Sequence, residues 1–94
     1  IYAEVLRDVA FRIPPLSEAE AHAMIRETRC HAILAGARGR PPADIEALAQ
    51  AMVALGTLAT DLESDIAEVD INPLAVMARG RGVIALDALV KLKP

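Results

Sequence analysis

The chemistry that this sequence can perform centres on Asn72 and Asp87, two oxygen-bearing side chains in the last third of the chain. Residues 66–72 alternate apolar and polar types, and a second strand-like run over 83–90 follows an Arg-Gly-Arg-Gly turn signal. If the turn centres on Arg79-Gly80, Asn72 lies directly opposite Asp87, with Cβ atoms about 4.5–5.5 Å apart. Because an amide oxygen and a carboxylate at that separation can share a cation with ligands at about 2.0–2.1 Å, we interpret the pair as half of a magnesium site for a nucleotide.

This hairpin register is one of two that the residues allow. It aligns apolar partners across the two strands: Val69 with Val90, Ala75 with Ile84, and Val76 with Val83. A slip of one residue would place Ala88 opposite Asn72 and would separate the two candidate ligands. Both registers stay open on the sequence alone.

The start of the chain predicts two short strands over Ile1–Ile13, because apolar and polar residues alternate there on either side of Arg7-Asp8. Pro14-Pro15 then ends any strand pairing, since proline has no N–H to donate. Glu4 and Arg12 lie on the polar side of these strands. They face either a ligand phosphate or metal, or simply solvent.

Two helices are predicted in the middle of the chain. Ser17 begins the first one, with Glu20 three residues later to complete a capping box. Pro41-Pro42 are expected to begin the second, and Gly56 weakens it by roughly 1 kcal/mol unless another segment packs closely there. The second helix has an apolar stripe at helical spacing: Ile45, Leu48, Met52, Leu55, Ala59 and Leu62.

The resulting order of strand, strand, helix, helix, strand, strand predicts an α+β fold, an antiparallel sheet with both helices on one face. We expect residues 1–94 to form one small domain. The chain opens at Ile1 inside a strand-like pattern, from which we expect it to be a piece of a longer protein.

Composition excludes several classes of function. The net charge is −3 and the basic residues are scattered, which argues against nucleic acid as a partner. The longest apolar run falls far short of the roughly 20 residues that a membrane-spanning helix needs. The single Cys30 excludes an internal disulfide and favours a reducing, cytoplasmic setting. An oligomeric assembly is compatible with all of this.

Several residues resemble site groups without having the partners that a site needs. His22 and His31 have no Cys, Asp or Glu at a recognisable metal spacing, so we expect surface or partly packed histidines. Cys30 is expected to be a small hydrophobe without a base beside it. The acidic run over Asp61–Asp65 is interpreted as a solvated turn.

Residues 33–42 are predicted to form a loop whose glycines free the backbone and whose arginines add positive charge. Such a loop before a helix can meet a phosphate, with Arg38 as the cofactor-binding candidate, or a neighbouring domain. It lacks the spacing of a P-loop, and a plain connector is the alternative.

Three blocks in this order resemble a known family. They are DVAFR (Asp8 to Arg12), GxRGxPP (Gly36 to Pro42) and DINPL (Asp70 to Leu74). Together they look like the C-terminal part of the ATP-grasp domain of NDP-forming acyl-CoA synthetases. These include the ADP-forming acetate–CoA ligases, which are related to the β subunit of succinyl-CoA synthetase.

The resemblance implies roles for particular residues. In the family, the Asn of the motif and the Asp of the following strand hold the Mg²⁺ that bridges the nucleotide phosphates, and these positions fall on Asn72 and Asp87. The acidic residue two before the Asn, here Asp70, is Glu in the succinyl-CoA synthetase branch. There it helps to receive a phosphohistidine segment carried from another domain.

The implied reaction joins a carboxylic acid to coenzyme A while ATP becomes ADP and phosphate. The implied partners are coenzyme A, the nucleotide, and the CoA-binding and phosphohistidine domains or subunit of the longer protein. This piece by itself is expected to be inactive. The competing hypothesis is a non-catalytic α+β docking or regulatory module in which Asn72 and Asp87 only satisfy a sheet surface.

Overall fold

A computed structural model of the protein describes residues 8–94, apart from the side chain of Arg38. Its helices are α1 (Glu18–Glu27), α2 (His31–Leu34) and α3 (Ile45–Asp61), with a 3₁₀ turn at Ala37–Gly39. Its strands are β1 (Ile66–Ile71), β2 (Leu74–Val76), β3 (Val83–Ala85) and β4 (Ala88–Leu92). Helices followed by antiparallel strands confirm the α+β class.

Helix α1 begins as its capping box predicts. The Ser17 hydroxyl accepts a hydrogen bond from the N–H of Glu20 at 3.1 Å, and the Glu20 carboxylate accepts one from the N–H of Ser17 at 3.2 Å. Ala21 and Ile25 are the buried residues of this helix. The two caps satisfy N–H groups that would otherwise have no partner within the helix.

Helix α3 begins later than the sequence predicts, and the expectation that Pro41-Pro42 begin it is wrong. Asp44 is the N-cap, and its carboxylate accepts from the N–H of Ala47 at 3.1 Å. The backbone N–H of Asp44 donates to the carbonyl oxygen of Met77 at 2.7 Å. The residues before Ile45 are therefore held extended beside the hairpin, which delays the start of the helix.

The core lies where α1 packs against α3. Ala21, Ile25 and Ala49 are its buried apolar residues, and five half-buried side chains surround them: Leu34, Ile45, Leu48, Met52 and Val53. Helix α3 in turn contacts β2 and β3. The most buried positions of α3 are small, Ala49 and Gly56, because small residues let neighbouring backbones approach.

Another segment packs beside Gly56 at a distance that leaves room for a Cβ. A Cβ built on it would lie 3.5 Å from the Cβ of Pro14 and 3.6 Å from the nitrogen of Leu16. The segment that links the Pro14-Pro15 pair to α1 therefore crosses α3 at Gly56.

The last third of the chain forms one long hairpin. β1 pairs antiparallel with β4, and β2 pairs antiparallel with β3. The predicted register is confirmed, because Val69 faces Val90, Ala75 faces Ile84 and Val76 faces Val83. At the tip, the N–H of Arg81 donates to the carbonyl of Ala78 at 2.8 Å, which centres the turn on Arg79-Gly80 as predicted, with Gly80 at φ 84°.

The hairpin is interrupted at Pro73. Proline has no N–H for the ladder, so β1 ends at Ile71 and β2 begins at Leu74, opposite a gap between β3 and β4. The carbonyl of Pro73 still accepts from the N–H of Leu86 at 3.0 Å. A second irregularity lies at the open end, where a bulge shifts the pairing between Ile66 and Glu68.

The predicted strand over Val9–Ile13 is wrong, since residues 8–16 of the described chain contain no strand. Side chains hold this segment instead. The Asp8 carboxylate accepts from the N–H groups of Arg29 and Cys30, and the Arg12 guanidinium pairs with the Glu27 carboxylate. An alternating pattern needs a neighbouring strand for its hydrogen bonds, and here the neighbour is the end of α1. The other predicted strand, over residues 1–7, lies outside the described residues.

The loop predicted over 33–42 is wrong in part. Its first two residues belong to α2, and Ala37–Gly39 form the 3₁₀ turn. Within residues 8–94, no helix combines the length and apolar character that crossing a bilayer demands.

Candidate functional site

The site is built where the hairpin is interrupted. The N–H of Asn72 donates to the carbonyl oxygen of Asp87 at 3.0 Å, so the two residues lie across from each other. The flanking pairs, Ile71 with Ala88 and Leu74 with Ala85, show that the alternative register does not form. The backbone thus brings together the two residues that the sequence predicts as neighbours.

Asp70 joins the same face. Residues two apart in a strand point to the same side, and Leu89 lies directly opposite Asp70. A concavity of about 360 Å³ is lined by Asp70, Asn72, Asp87, Ala88 and Leu89. Two carboxylates and one amide oxygen therefore open into a single depression.

The Asp87 carboxylate has one defined contact. Its Oδ1 atom accepts from the N–H of Ala88 at 2.9 Å, which orients the group. Asp70, Asn72 and Asp87 are all exposed, so their oxygens remain accessible to an ion or a phosphate from solvent.

This donor set fits a hard cation such as Mg²⁺, which prefers oxygen ligands and retains several waters. Within the described residues, no three His, Cys, Asp or Glu side chains gather into a metal-binding group. A cation here would therefore use Asn72 beside the carboxylates and take its remaining ligands from water or substrate.

Among the described residues, the arginines that the sequence offered as phosphate contacts do not line this concavity. Arg12 pairs with Glu27, whose pKa this hydrogen bond lowers, on the α1 side of the molecule. Arg40 lines a separate depression together with Met77. The side chain of Arg38 and the whole of Glu4 lie outside the part of the chain that the structure describes.

His22 and Cys30 do not line this concavity. His22 is half-buried, and its Nε2 atom lies 3.1 Å from a carboxylate oxygen of Glu46. Cys30 is exposed, with its sulfur 3.2 Å from the Thr28 hydroxyl. The expected surface or partly packed histidine is confirmed for His22, and Cys30, expected to be a small hydrophobe, is exposed.

Sequence reasoning missed Asp44. Its Oδ2 atom accepts two further hydrogen bonds from the hairpin tip, from the N–H of Gly82 at 2.8 Å and of Gly80 at 3.1 Å. The side chain is buried, with 8% exposure. A sequence signal was present, because Asp is a favoured N-cap three residues before an unsatisfied helical N–H.

These contacts set the ionisation of Asp44. The N–H groups of Ala47, Gly82 and Gly80 stabilise the carboxylate, as does the positive charge of Arg79, while burial opposes it. The net result is a pKa below the usual range for this carboxyl. Asp44 is therefore an anionic link between α3 and the hairpin turn.

A family model for the ATP-grasp domain matches residues 1–92. The β subunit of an ADP-forming acetate–CoA ligase from Pyrococcus furiosus, isoform II, is 45% identical over 93 residues, which cover 99% of this chain and 39% of the relative. A 4-hydroxybutyrate–CoA ligase (ADP-forming) from Nitrosopumilus maritimus is 39% identical over 92 residues, covering 98% of this chain and 13% of the relative. The chain thus spans well under half of the length of these relatives.

Solved structures agree. A crystal structure of a protein from Pyrococcus horikoshii superposes with a TM-score of 0.92 at 40% identity, covering 100% of this chain and 39% of that one. The dinucleotide-forming acetyl-coenzyme A synthetase 1 of Ca. Korarchaeum cryptofilum superposes with a TM-score of 0.90 at 39% identity, covering 99% of this chain and 42% of that one. The latter structure is a complex with coenzyme A and Mg-AMPPCP, in which a phosphohistidine segment points towards the nucleotide-binding site.

The match over nearly the whole chain accounts for the order of the helices, the hairpin and the three sequence blocks. The chain belongs to the ATP-grasp domain family.

Proposed function

We propose that this chain is part of an ADP-forming acid–CoA ligase and supplies the protein ligands of its magnesium–nucleotide site. The carrying observation is that Asn72 lies across from Asp87, with Asp70 on the same face of the hairpin. The similarity to acetate–CoA and 4-hydroxybutyrate–CoA ligases supports the reaction class. The overall reaction converts a carboxylic acid, coenzyme A and ATP into an acyl-CoA, ADP and phosphate.

Asn72 and Asp87 act by position and charge. The Ala88 N–H holds the Asp87 carboxylate in one orientation, so that its charge is directed without the cost of reorganising the side chain. Mg²⁺, when bound, neutralises charge on the phosphoryl oxygens that are transferred. Its need for few protein ligands suits a site with one amide and one or two carboxylates.

Asp70 has a different role in this proposal. It is two residues before Asn72 and lines the same concavity. Its carboxylate would meet a phosphohistidine segment delivered by another domain or subunit, as the complex from Ca. Korarchaeum cryptofilum suggests. Arg38 is proposed as a contact to a nucleotide phosphate from the loop that precedes α3.

The test uses the full-length protein. Asn72→Ala and Asp87→Ala should each reduce acid- and CoA-dependent ADP formation by about 100-fold or more, as expected when electrostatic stabilisation of a transition state is removed. Circular dichroism should show an unchanged fold, because both side chains are exposed. Glu68→Gln is the matched control, since it removes an exposed carboxylate from β1 that does not line the concavity.

Near-normal turnover in both alanine variants would refute the ligand assignment. It would favour the competing hypothesis, in which this chain is a docking or regulatory module of the longer protein.

A further inference from the structure

We infer that Asp44 is a positioning residue for the metal site: its carboxylate binds the hairpin tip in one register and thereby sets Asn72 opposite Asp87. The inference rests on the proposed function, because it assigns Asp44 a task towards the same site. Its starting point is the bonding of Asp44 to two elements. Oδ1 accepts from Ala47 at the start of α3, while Oδ2 accepts from Gly80 and Gly82 at the tip.

Backbone contacts reinforce this link. The N–H of Asp44 donates to the carbonyl of Met77 at 2.7 Å, and the N–H of Arg79 donates to the carbonyl of Pro42 at 3.0 Å. Ala43 also forms an isolated antiparallel bridge with Ala78. The segment before α3 therefore runs along the hairpin tip like a short additional strand.

The GxRGxPP loop makes this approach possible. Gly36 has φ 103°, in the left-handed region, and a Cβ on it would lie 3.0 Å from the carbonyl oxygen of Arg40 and 3.4 Å from the nitrogen of Pro42. The loop folds back on itself at Gly36, and this places the carbonyl of Pro42 within hydrogen-bond distance of Arg79 in the hairpin. Two of the sequence blocks, GxRGxPP and DINPL, are thus connected through one hairpin.

The link to Asp44 matters because the hairpin itself has few features that prevent a slip in strand register. β2 and β3 have three residues each, the ladder is broken at Pro73, and a bulge shifts the pairing at the open end. A slip of one residue would move every side chain of a strand to the other face, which would separate Asn72 from Asp87. At the tip, one buried residue from outside the hairpin bonds both arms: the N–H of Asp44 donates to Met77 on the first arm, and its carboxylate accepts from Gly82 on the second.

The connection between tip and site is mechanical. The site lies roughly 20–25 Å from the centre of the turn, since extended strands rise about 3.4 Å per residue over the stretch from Gly80 to Asp87. Asp44 itself touches neither the concavity nor its lining residues. It acts through the register of the strands.

The test compares variants of the full-length protein that separate the two tasks of Asp44. Asp44→Ser keeps a good N-cap for α3, but its side chain is too short to reach the tip. Asp44→Asn keeps an oxygen that can cap α3, but it turns its NH₂ group towards the N–H groups of Gly80 and Gly82, which then have no acceptor. Ser17→Ala is the matched control, because it removes the N-cap of a different helix, α1, and the capping bonds it breaks join only Ser17 and Glu20. Asn72→Ala reports on the metal site itself.

Two readouts are measured. Binding of Mn²⁺·ADP, followed by electron paramagnetic resonance, should weaken about tenfold in both Asp44 variants, as when groups that orient metal ligands are removed. Amide hydrogen exchange should quicken at Gly80 and Gly82, and also at Asn72, whose N–H bonds Asp87. Ser17→Ala should leave Mn²⁺·ADP binding and these three amides unchanged.

The outcomes are separable. If exchange quickens at Gly80 and Gly82 while Asn72 exchange and Mn²⁺·ADP binding stay unchanged in both Asp44 variants, the positioning role is overturned and the proposed function stands. If Asn72→Ala leaves Mn²⁺·ADP binding unchanged, the proposed site itself is overturned. Should Asp44→Ser fail to fold, Asp44→Asn decides by the same two readouts.

Discussion

The backbone N–H of Asn72 donates a hydrogen bond to the carbonyl oxygen of Asp87 across the interrupted part of the hairpin, at an N···O distance of 3.0 Å. This contact makes neighbours of an amide and a carboxylate from two different strands. Asp70 lies on the same face, so the concavity combines two carboxylates with one amide. Substitutions can therefore test the charge of Asp87, the role of Asp70 and the contacts of Asp44 separately.

For Mg²⁺ binding, the negative charge of Asp87 should matter more than the shape of its side chain. Asp87→Asn keeps an oxygen that can accept from Ala88 but removes the negative charge, so the Mg²⁺ concentration for half-maximal activity of the full-length protein should rise at least about tenfold. Thermal stability should stay the same, because the side chain is exposed. Titrating activity against Mg²⁺ for Asp87→Asn and for the control Glu68→Gln measures this. Equal curves for both variants would contradict a ligand role for Asp87.

Asp70 should affect phosphoryl transfer more than metal binding. Asp70→Ala should slow phosphorylation of ADP by the phosphohistidine partner by roughly 10²–10⁴-fold, the range for one positioned acid–base group. Binding of Mn²⁺·ADP should change far less than in Asn72→Ala. Single-turnover transfer from the phosphorylated partner, set beside the binding measurement, separates the two effects. A parallel loss in both measurements would assign Asp70 to the metal instead.

Asp44 predicts a pH dependence of stability. Because its pKa is lower in the folded state, it stabilises the fold above its ordinary pKa of about 3.9, and this contribution is lost as the pH falls through the folded value. The difference in Tm between the native sequence and Asp44→Asn should therefore be constant from pH 5 to 7 and shrink below about pH 4. Asp65→Asn, at an exposed carboxylate, provides the control. A gap that persists unchanged at low pH would mean that the charge of Asp44 is not what stabilises the fold.

Two glycines should respond to alanine in opposite directions. At Gly56 the new Cβ meets Pro14 at 3.5 Å, an ordinary contact, so Gly56→Ala should stabilise the protein by roughly 0.5–1 kcal/mol through helix propensity. At Gly36 the Cβ would lie 3.0 Å from a backbone oxygen at φ 103°, so Gly36→Ala should destabilise it. Thermal unfolding of both variants checks the pair. A loss of stability in Gly56→Ala would mean that Pro14 and Leu16 pack more tightly than the structure indicates.

Local patterns determined the parts of this protein whose partners are near in sequence. The Arg79-Gly80 turn and the apolar pairs pointed to the hairpin register that forms, although only the structure excluded the slip of one residue, and the start of α1 followed from Ser17 and Glu20. Both depend on interactions within a few residues or across one turn, which a single sequence records directly. The likeness to the ATP-grasp family could also be identified from sequence alone, because each of its three blocks is a continuous stretch of sequence.

Tertiary structure decided the rest. Val9–Ile13 has the alternation of a strand, yet Asp8 and Arg12 attach this segment to the end of α1, since a strand forms only where another backbone offers hydrogen bonds. Asp44 was not predicted to have a role. Its importance arises from two backbone N–H groups, those of Gly80 and Gly82, that lie far along the chain. A sequence shows which side chains can bond. Only the folded chain selects among partners distant in sequence, because the loss of chain entropy on bringing them together is compensated by the packing of the whole domain.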